Sequence, residues 1–130
     1  MSYSLQPYIS FQGRAREAMT FYHEVFGGQL DIVEFSQFGI PHEPADGVMH
    51  SALVVDGTTL IMGSDAMEEA PAGIALSLSG TGDELRELFA KLADGAQNVR
   101  ELQQEQWGAE YGEVLDKYGV RWMFNVVNEA

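Results

Sequence analysis

The chain has 130 residues, and 45% of them are hydrophobic, which suits one modest packed core. Twenty Asp and Glu against seven Lys and Arg give a formal net charge of −13, so neither nucleic acid nor anionic lipid is an expected partner. The chain has no cysteine, which excludes disulfides, thiolate nucleophiles and cysteine-based zinc sites.

The apolar stretches are only as long as strands, so no membrane span is expected. The first residues lack the basic and apolar regions of a secretory signal, and we therefore expect a cytoplasmic protein. The acidic charge has two interpretations, attraction of cationic ligands or simple solubility. Solubility is favoured because the acids are scattered along the chain.

The first half of the chain predicts a strand, a helix and three further strands. Pro7–Phe11 has β-type composition, and Arg14–Phe26 carries apolar residues at helical spacing before a Gly-Gly stop. Gln29–Ser36 predicts the second strand. The stretch MHSALVVDGTTLIMG then predicts a hairpin around a tight Asp56-Gly57 turn.

The second half repeats this order. Gly73–Ser79 predicts a strand, and the following TGDELRELFAKLADG predicts a helix with Thr81 or Asp83 as its N-cap. Gln97–Leu102 predicts the next strand. The stretch YGEVLDKYGVRWMFN predicts a second hairpin, around Tyr118-Gly119, and we expect Asp116 to brace that turn.

The two halves therefore predict two β-α-β-β-β modules, at about 5–66 and 72–128, within one domain that spans residues 1–130. One module is too small to bury its own sheet. We predict an α+β fold in which the modules pair into a curved, eight-stranded and mostly antiparallel sheet. The helices would lie outside, and the concave face would enclose a cleft for a small ligand.

Three segments resemble the PhnB-like branch of the vicinal oxygen chelate superfamily: PYISFQGRAREAMTFYHEVFGG, MHSALVVDGTTLIMGSD and WGAEYGEVLDKYGVRWMFNVV. That superfamily includes glyoxalase I, extradiol dioxygenases, and fosfomycin- and bleomycin-resistance proteins. The resemblance implies the paired-module fold and a homodimer. Some relatives carry the name of ubiquinone-biosynthesis methyltransferases. The absence of a Gly-rich nucleotide loop after either module's first strand argues against methyl transfer.

The resemblance also implies metal ligands, His or Glu, on the first and last strands of each module. Superposition of the two halves on their helices and turns places four residues there: Pro7, Ile61, Ile74 and Met123. A shift of about one residue gives Ser10, Met62 or Gly63, Ser77 and Asn125 instead. A catalytic ion needs about three protein ligands of the N/O type, and neither set supplies a carboxylate or an imidazole. We therefore expect no metal and no cofactor.

The candidate ligand-binding residues are Phe11, His50, Trp107, Tyr111, Met123 and Asn125. His50 lies among apolar neighbours and is either a hydrogen-bonded core histidine, which we favour, or a cleft residue that moves a proton. Trp107 and Tyr111 either stack on a flat ligand or pack under a loop or a dimer contact. Methionines such as Met123 give an adaptable lining or belong to the core.

Three functions compete at this point. The first is a small-molecule binding protein, which needs only an apolar cleft lined by aromatic residues. The second is a metal-dependent lyase, isomerase or dioxygenase that uses unusual ligands, such as His50 with Glu110 or Glu113. The third is a regulatory or scaffolding dimer whose cleft is filled by its own side chains.

Overall fold

The computed structural model describes residues 6–65, 75–105 and 108–127. The elements follow in the order β1 (Tyr8–Ser10), α1 (Ala15–Phe26), β2 (Gln29–Glu34), a short 3-10 helix (Phe35–Phe38), β3 (Val48–Val55), β4 (Thr58–Ser64), β5 (Ala75–Thr81), α2 (Asp83–Ala93), β6 (Asn98–Gln104), β7 (Ala109–Leu115) and β8 (Arg121–Val127). One strand, one helix and three strands occur twice, which confirms the predicted repeat. Among the described residues, neither helix is long and apolar enough to cross a membrane.

The chain divides into two compact units, residues 1–72 and 73–130, and each contains one four-stranded sheet. Sheet 1 has the strand order β1-β4-β3-β2, and sheet 2 has the equivalent order β5-β8-β7-β6. In each sheet the first strand pairs in parallel with the last, and the other two pairings are antiparallel. The predicted mostly antiparallel α+β architecture is confirmed.

Helix α1 covers one face of sheet 1 because its apolar residues recur at helical spacing and form one buried stripe. Leu53 and Ile61 are register partners on β3 and β4, and both are fully buried. Gly63 lets α1 approach closely, since a Cβ there would lie 2.6 Å from Phe11 and 3.1 Å from the Met19 sulfur. The core of unit 1 therefore lies between α1 and the β3–β4 hairpin.

Helix α2 covers one face of sheet 2 in the same way, through Leu85, Phe89 and Leu92. Phe89 meets Phe124 of β8 edge-to-face, with ring centroids 5.2 Å apart. Gly112 of β7 lies on this same face, because a Cβ there would be 2.9 Å from the Phe89 ring. These contacts fix which residues of sheet 2 point toward its helix and which point away.

The two hairpins differ in their turns. Asp56 and Gly57 both have positive φ, 51° and 78°, which is the two-residue type I′ geometry that the sequence predicts. The predicted second hairpin around Tyr118-Gly119 is confirmed, but its connection is longer, because residues 116–120 join β7 to β8. The brace itself is confirmed: Oδ1 of Asp116 accepts the amides of Tyr118 at 2.8 Å and Val120 at 3.0 Å.

Asp116 also reaches beyond its turn. Its Oδ2 accepts a hydrogen bond from the indole N–H of Trp122 at 2.8 Å, and the residue is fully buried. A carboxylate in this position binds two backbone amides and an indole, so its burial is compensated. Asp116 therefore joins the turn to β8.

The helix caps differ from the sequence-based expectation. For α2 the N-cap position is Gly82, and neither Thr81 nor Asp83 makes a side-chain cap. Asp83 instead lies in the first turn, where its carboxylate accepts a hydrogen bond from Nη1 of Arg86 at 2.8 Å. Gly82 has a φ of 89°, a conformation that L side chains rarely adopt. Because Gly82 is the N-cap, α2 begins at Asp83, one residue later than it would with Thr81 as the cap.

Helix α1 is capped by a residue from the end of β4. Oδ1 of Asp65 accepts the amides of Gly13 at 2.7 Å and Ala15 at 3.0 Å, while Oδ2 accepts the amide of Val48 at 3.1 Å. A carboxylate here satisfies amides that the first turn of a helix leaves unpaired. Asp65 thus ties α1 to both β3 and β4.

Candidate functional site

Each sheet has one face toward its helix and one face away from it, which we call the helix-free face. In sheet 1, Gly63 faces α1, so its neighbour Met62 faces away from the helix. Tyr8 and Ala52 are the register partners of Met62 and therefore face the same way. In sheet 2, Gly112 and Phe124 face α2. The helix-free face includes their neighbours along the strands, the register partners of those neighbours, and Arg121, which is two residues before Met123: Ser77, Ser79, Arg100, Gln103, Tyr111, Glu113, Arg121, Met123 and Asn125.

His50 lies on the helix-free face of sheet 1, two residues from Ala52 along β3. It is half-buried, and its Nδ1 is 3.0 Å from the phenol oxygen of Tyr8. The two rings are tilted at 45° with centroids 5.6 Å apart. His50 is therefore hydrogen-bonded, as the core interpretation expects, yet it points away from the core beneath α1.

The helix-free face of sheet 2 brings together three predicted residues. Asn125 is the register partner of both Ser79 and Tyr111, and Met123 lies two residues before it on β8. All three predicted residues are half-buried. An aromatic ring, a flexible thioether and an amide side by side give an apolar surface with a polar anchor.

A charged network borders these residues. Glu113 accepts hydrogen bonds from the Tyr111 hydroxyl at 3.1 Å and from Nη1 of Arg121 at 3.2 Å. Nη1 of Arg100 lies 3.8 Å from the same carboxylate, and its guanidinium carbon lies 5.7 Å from the centre of the Tyr111 ring. The two arginines therefore flank one carboxylate.

Sequence reasoning missed Arg100 and Arg121. The available signal was alternation, because Arg121 is two residues before Met123 and therefore shares its face of the strand. Arg100 was harder to place, since β6 has a register irregularity between Arg100 and Gln103. Such a bulge shifts which residues share a face and is not visible in the sequence.

Burial raises the pKa of the Tyr111 phenol above its ordinary value of 10.0, and the hydrogen bond to Glu113 raises it further. The hydroxyl therefore keeps its proton at neutral pH and acts as a donor to Glu113. This bond fixes the orientation of the carboxylate between the arginines.

One predicted ligand-binding residue, Phe11, is not on either helix-free face. Phe11 is buried, with 7% of its surface exposed, and its ring lies 6.1 Å from that of Tyr22 in α1. It belongs to the core of unit 1, because the chain turns toward the helix directly after β1. Trp107 lies outside the described residues.

A family profile described as 3-demethylubiquinone-9 3-methyltransferase matches residues 3–125. The chain belongs to this family. The Escherichia coli K12 protein YjdN is 30% identical and aligns over 96% of both chains. The solved structure of PA1353 from Pseudomonas aeruginosa is 33% identical, with a TM-score of 0.86 over 98% of this chain and 100% of that one. A PhnB protein from Bacillus cereus is 26% identical, with a TM-score of 0.71 over 96% and 100%.

The PhnB-like fold extends to more distant proteins. A bleomycin resistance determinant encoded on the transposon Tn5 shares 13% identity, with a TM-score of 0.53 over 97% of this chain and 98% of that one. At this identity the likeness concerns the fold alone. Together with the two equivalent β-α-β-β-β units, it shows that this PhnB-like chain has the vicinal oxygen chelate fold.

The metal positions that the superfamily implies do not fit an ion here. The superposition based on turn glycines equates Ile61 with Met123, but Ile61 faces α1 and Met123 faces away from α2. That correspondence is wrong because the two hairpin turns differ in length and β3 has an irregularity after Leu53. On the helix-free faces, the first and last strands carry Tyr8, Met62, Ser77, Ser79, Met123 and Asn125. These positions offer no carboxylate or imidazole, and residues 6–65, 75–105 and 108–127 contain no group of three or more His, Cys, Asp or Glu able to hold a metal.

The ligands proposed for a metal alternative are engaged elsewhere. Glu110 lies on the helix side of sheet 2, where Nε of Arg86 donates to it at 3.0 Å. Glu113 lies on the opposite face, within the network described above. One strand thus separates the two acids by pointing them in opposite directions.

Proposed function

We propose that this PhnB-like chain binds a small organic ligand on the helix-free face of sheet 2, by direct side-chain contact without a metal ion. The observation that carries the proposal is the grouping of Tyr111, Met123 and Asn125, half-buried on one face. Ligand sites in proteins combine an apolar lining with a few polar groups that fix orientation. Tyr111 and Met123 supply the lining, and Asn125 supplies a donor and an acceptor.

Binding is better supported than either kind of catalysis. Methyl transfer, which the family description names, needs a site for the methyl donor, and no Gly-rich loop of the nucleotide-binding type joins β1 to α1 or β5 to α2. A metal-dependent enzyme based on His50 with Glu110 or Glu113 has less support, because Glu110 is paired with Arg86 on the helix side.

The proposal is tested with benzamide, a neutral flat probe, and protein carrying ¹³C-labelled methionine methyl groups. Millimolar benzamide should shift the Met123 methyl resonance in a saturable way. Met19 is the internal control, because it is a fully buried residue of α1 and its resonance should not move. Tyr111→Ala should weaken binding at least about fivefold, since stacking on an aromatic ring contributes on the order of 1 kcal/mol.

Phe38→Ala is the matched aromatic control, because Phe38 is 65% exposed and belongs to unit 1 rather than to sheet 2. It should leave benzamide binding unchanged. A Met123 resonance that stays in place up to the solubility limit of the probe would contradict the proposal and favour a vestigial ligand site.

We further propose that the protein is a homodimer, as the family resemblance implies. Two modules of this size give a modest core, and pairing of copies would bury more apolar surface. Light scattering at micromolar concentration should give twice the chain mass of 14.3 kDa. A mass equal to one chain would rule the dimer out.

A further inference from the structure

The basic side chains of this acidic protein are distributed unevenly. The chain has only seven Lys and Arg against twenty Asp and Glu. Three of its five arginines form ion pairs with carboxylates that no other arginine contacts: Arg14 with Glu17, Arg16 with Glu34, and Arg86 with both Asp83 and Glu110. These three lie in unit 1 and on the helix side of unit 2. The remaining two, Arg100 and Arg121, share Glu113 on the helix-free face of sheet 2.

This sharing leaves a surplus of positive charge around Glu113 within the described residues. Within the described ranges, Glu113 is the one carboxylate that lies within ion-pair distance of either Arg100 or Arg121. Two guanidinium groups against one carboxylate give a local charge of opposite sign to that of the whole chain. Local charge decides which ligand a surface contacts directly, whereas net charge acts over longer distances and is screened by salt.

The two guanidinium groups retain hydrogen-bonding capacity. Arg121 donates from Nη1 to Glu113 at 3.2 Å, which uses one of its five N–H groups. Arg100 lies 3.8 Å from Glu113, beyond hydrogen-bond distance, and rests over the Tyr111 ring. A guanidinium held in this way presents a planar pair of donors that matches a carboxylate.

We propose that the ligand of this site is an organic anion, a small apolar or aromatic body that carries a carboxylate. The carboxylate would bind Arg100 and Arg121, and the body would lie on Tyr111 and Met123. This inference rests on the proposed function and specifies its ligand class. It replaces the cationic ligand that the net charge of −13 suggests, because two guanidinium groups share one carboxylate at this place.

Three probes of equal shape and different charge test the inference: benzoate, benzamide and benzamidine. Binding is followed by the Met123 methyl resonance, with Met19 as the internal control. Benzoate should bind at least about fivefold more tightly than benzamide, because a charge-assisted hydrogen bond is roughly twice as strong as a neutral one. Benzamidine should bind most weakly of the three, since it meets like charge.

Replacement of both arginines should remove the preference for charge. The double variant Arg100→Gln, Arg121→Gln should lower benzoate affinity more than benzamide affinity, so that the two probes bind equally. Arg121→Lys, which keeps the charge, should retain most of the preference. Arg14→Gln is the matched control, because Arg14 is exposed on α1 in unit 1, and it should leave all three affinities unchanged.

The outcomes separate this inference from the proposed function. Equal affinity for benzoate and benzamide, or a preference for benzamidine, would overturn the anionic ligand class while the binding function stands. Failure of all three probes to shift Met123 would overturn both. A benzoate preference that persists in the double glutamine variant would also overturn the role of the arginines.

Discussion

Replacement of Asp116 by alanine should lower the free energy of unfolding by about 3 kcal/mol, because a buried donor that loses its acceptor costs roughly 1–3 kcal/mol. The side chain is fully buried and accepts hydrogen bonds from the Tyr118 and Val120 amides and from the Trp122 indole. Alanine removes all three acceptor contacts together. Urea unfolding measured by tryptophan fluorescence gives this free energy directly.

Two controls isolate the carboxylate. Asp56→Asn makes a conservative change in the equivalent turn of unit 1, and it should alter stability by less than about 0.5 kcal/mol because asparagine tolerates positive φ. Asp116→Asn keeps an acceptor for the two amides and places an amide donor toward Trp122. The loss of unfolding free energy caused by Asp116→Asn should therefore be smaller in a Trp122→Phe background. Strict additivity of the two changes would contradict the hydrogen bond between Asp116 and Trp122.

Replacement of Asp65 by alanine should lower the free energy of unfolding by about 2 kcal/mol, the upper range for loss of a helix cap. Asp65 accepts the amides of Gly13, Ala15 and Val48, and its charge lies at the positive end of the α1 dipole. Asp65→Asn keeps acceptor capacity and loses the charge, so its cost should be about half as large. Urea unfolding again measures both.

Hydrogen exchange distinguishes this cap from a general loss of stability. The amides of Gly13, Ala15 and Val48 should exchange faster in Asp65→Ala than the change in global stability requires. Asp31→Ala is the matched control, since the Asp31 side chain is exposed and accepts a hydrogen bond from the neighbouring Gln29 side chain rather than from a helix amide. Uniform acceleration across unit 1 would show that Asp65 does not act as a cap.

The sequence predicted the features that local chemistry determines. The repeated order of elements followed from hydrophobic periodicity, and the Asp56-Gly57 turn followed from residues that tolerate positive φ. Asp116 was also predictable, because an aspartate two residues before an amide is a frequent turn partner. Each of these inferences concerns residues that are neighbours along the chain.

Features that depend on distant residues were not predictable. The cap of α1 comes from Asp65, which is 50 residues away from the Ala15 amide that it binds. The helix-free faces depend on register, and the irregularities in β3 and β6 shift it without leaving a sequence signal. Arg100 lies at the irregularity in β6, and for this reason it was not among the predicted site residues, unlike Met123 and Asn125.

The parallel pairing of each module's first strand with its last constrains the order in which the protein assembles during synthesis. β1 has its register partners on β4, and α1 receives its cap from the residue that follows β4. A nascent chain that has emerged only as far as β3 therefore carries an unpaired β1 and an uncapped α1. β1 finds its pairing partner, and α1 its cap, only after β4 has emerged, so each module completes its sheet only when its final strand has left the ribosome.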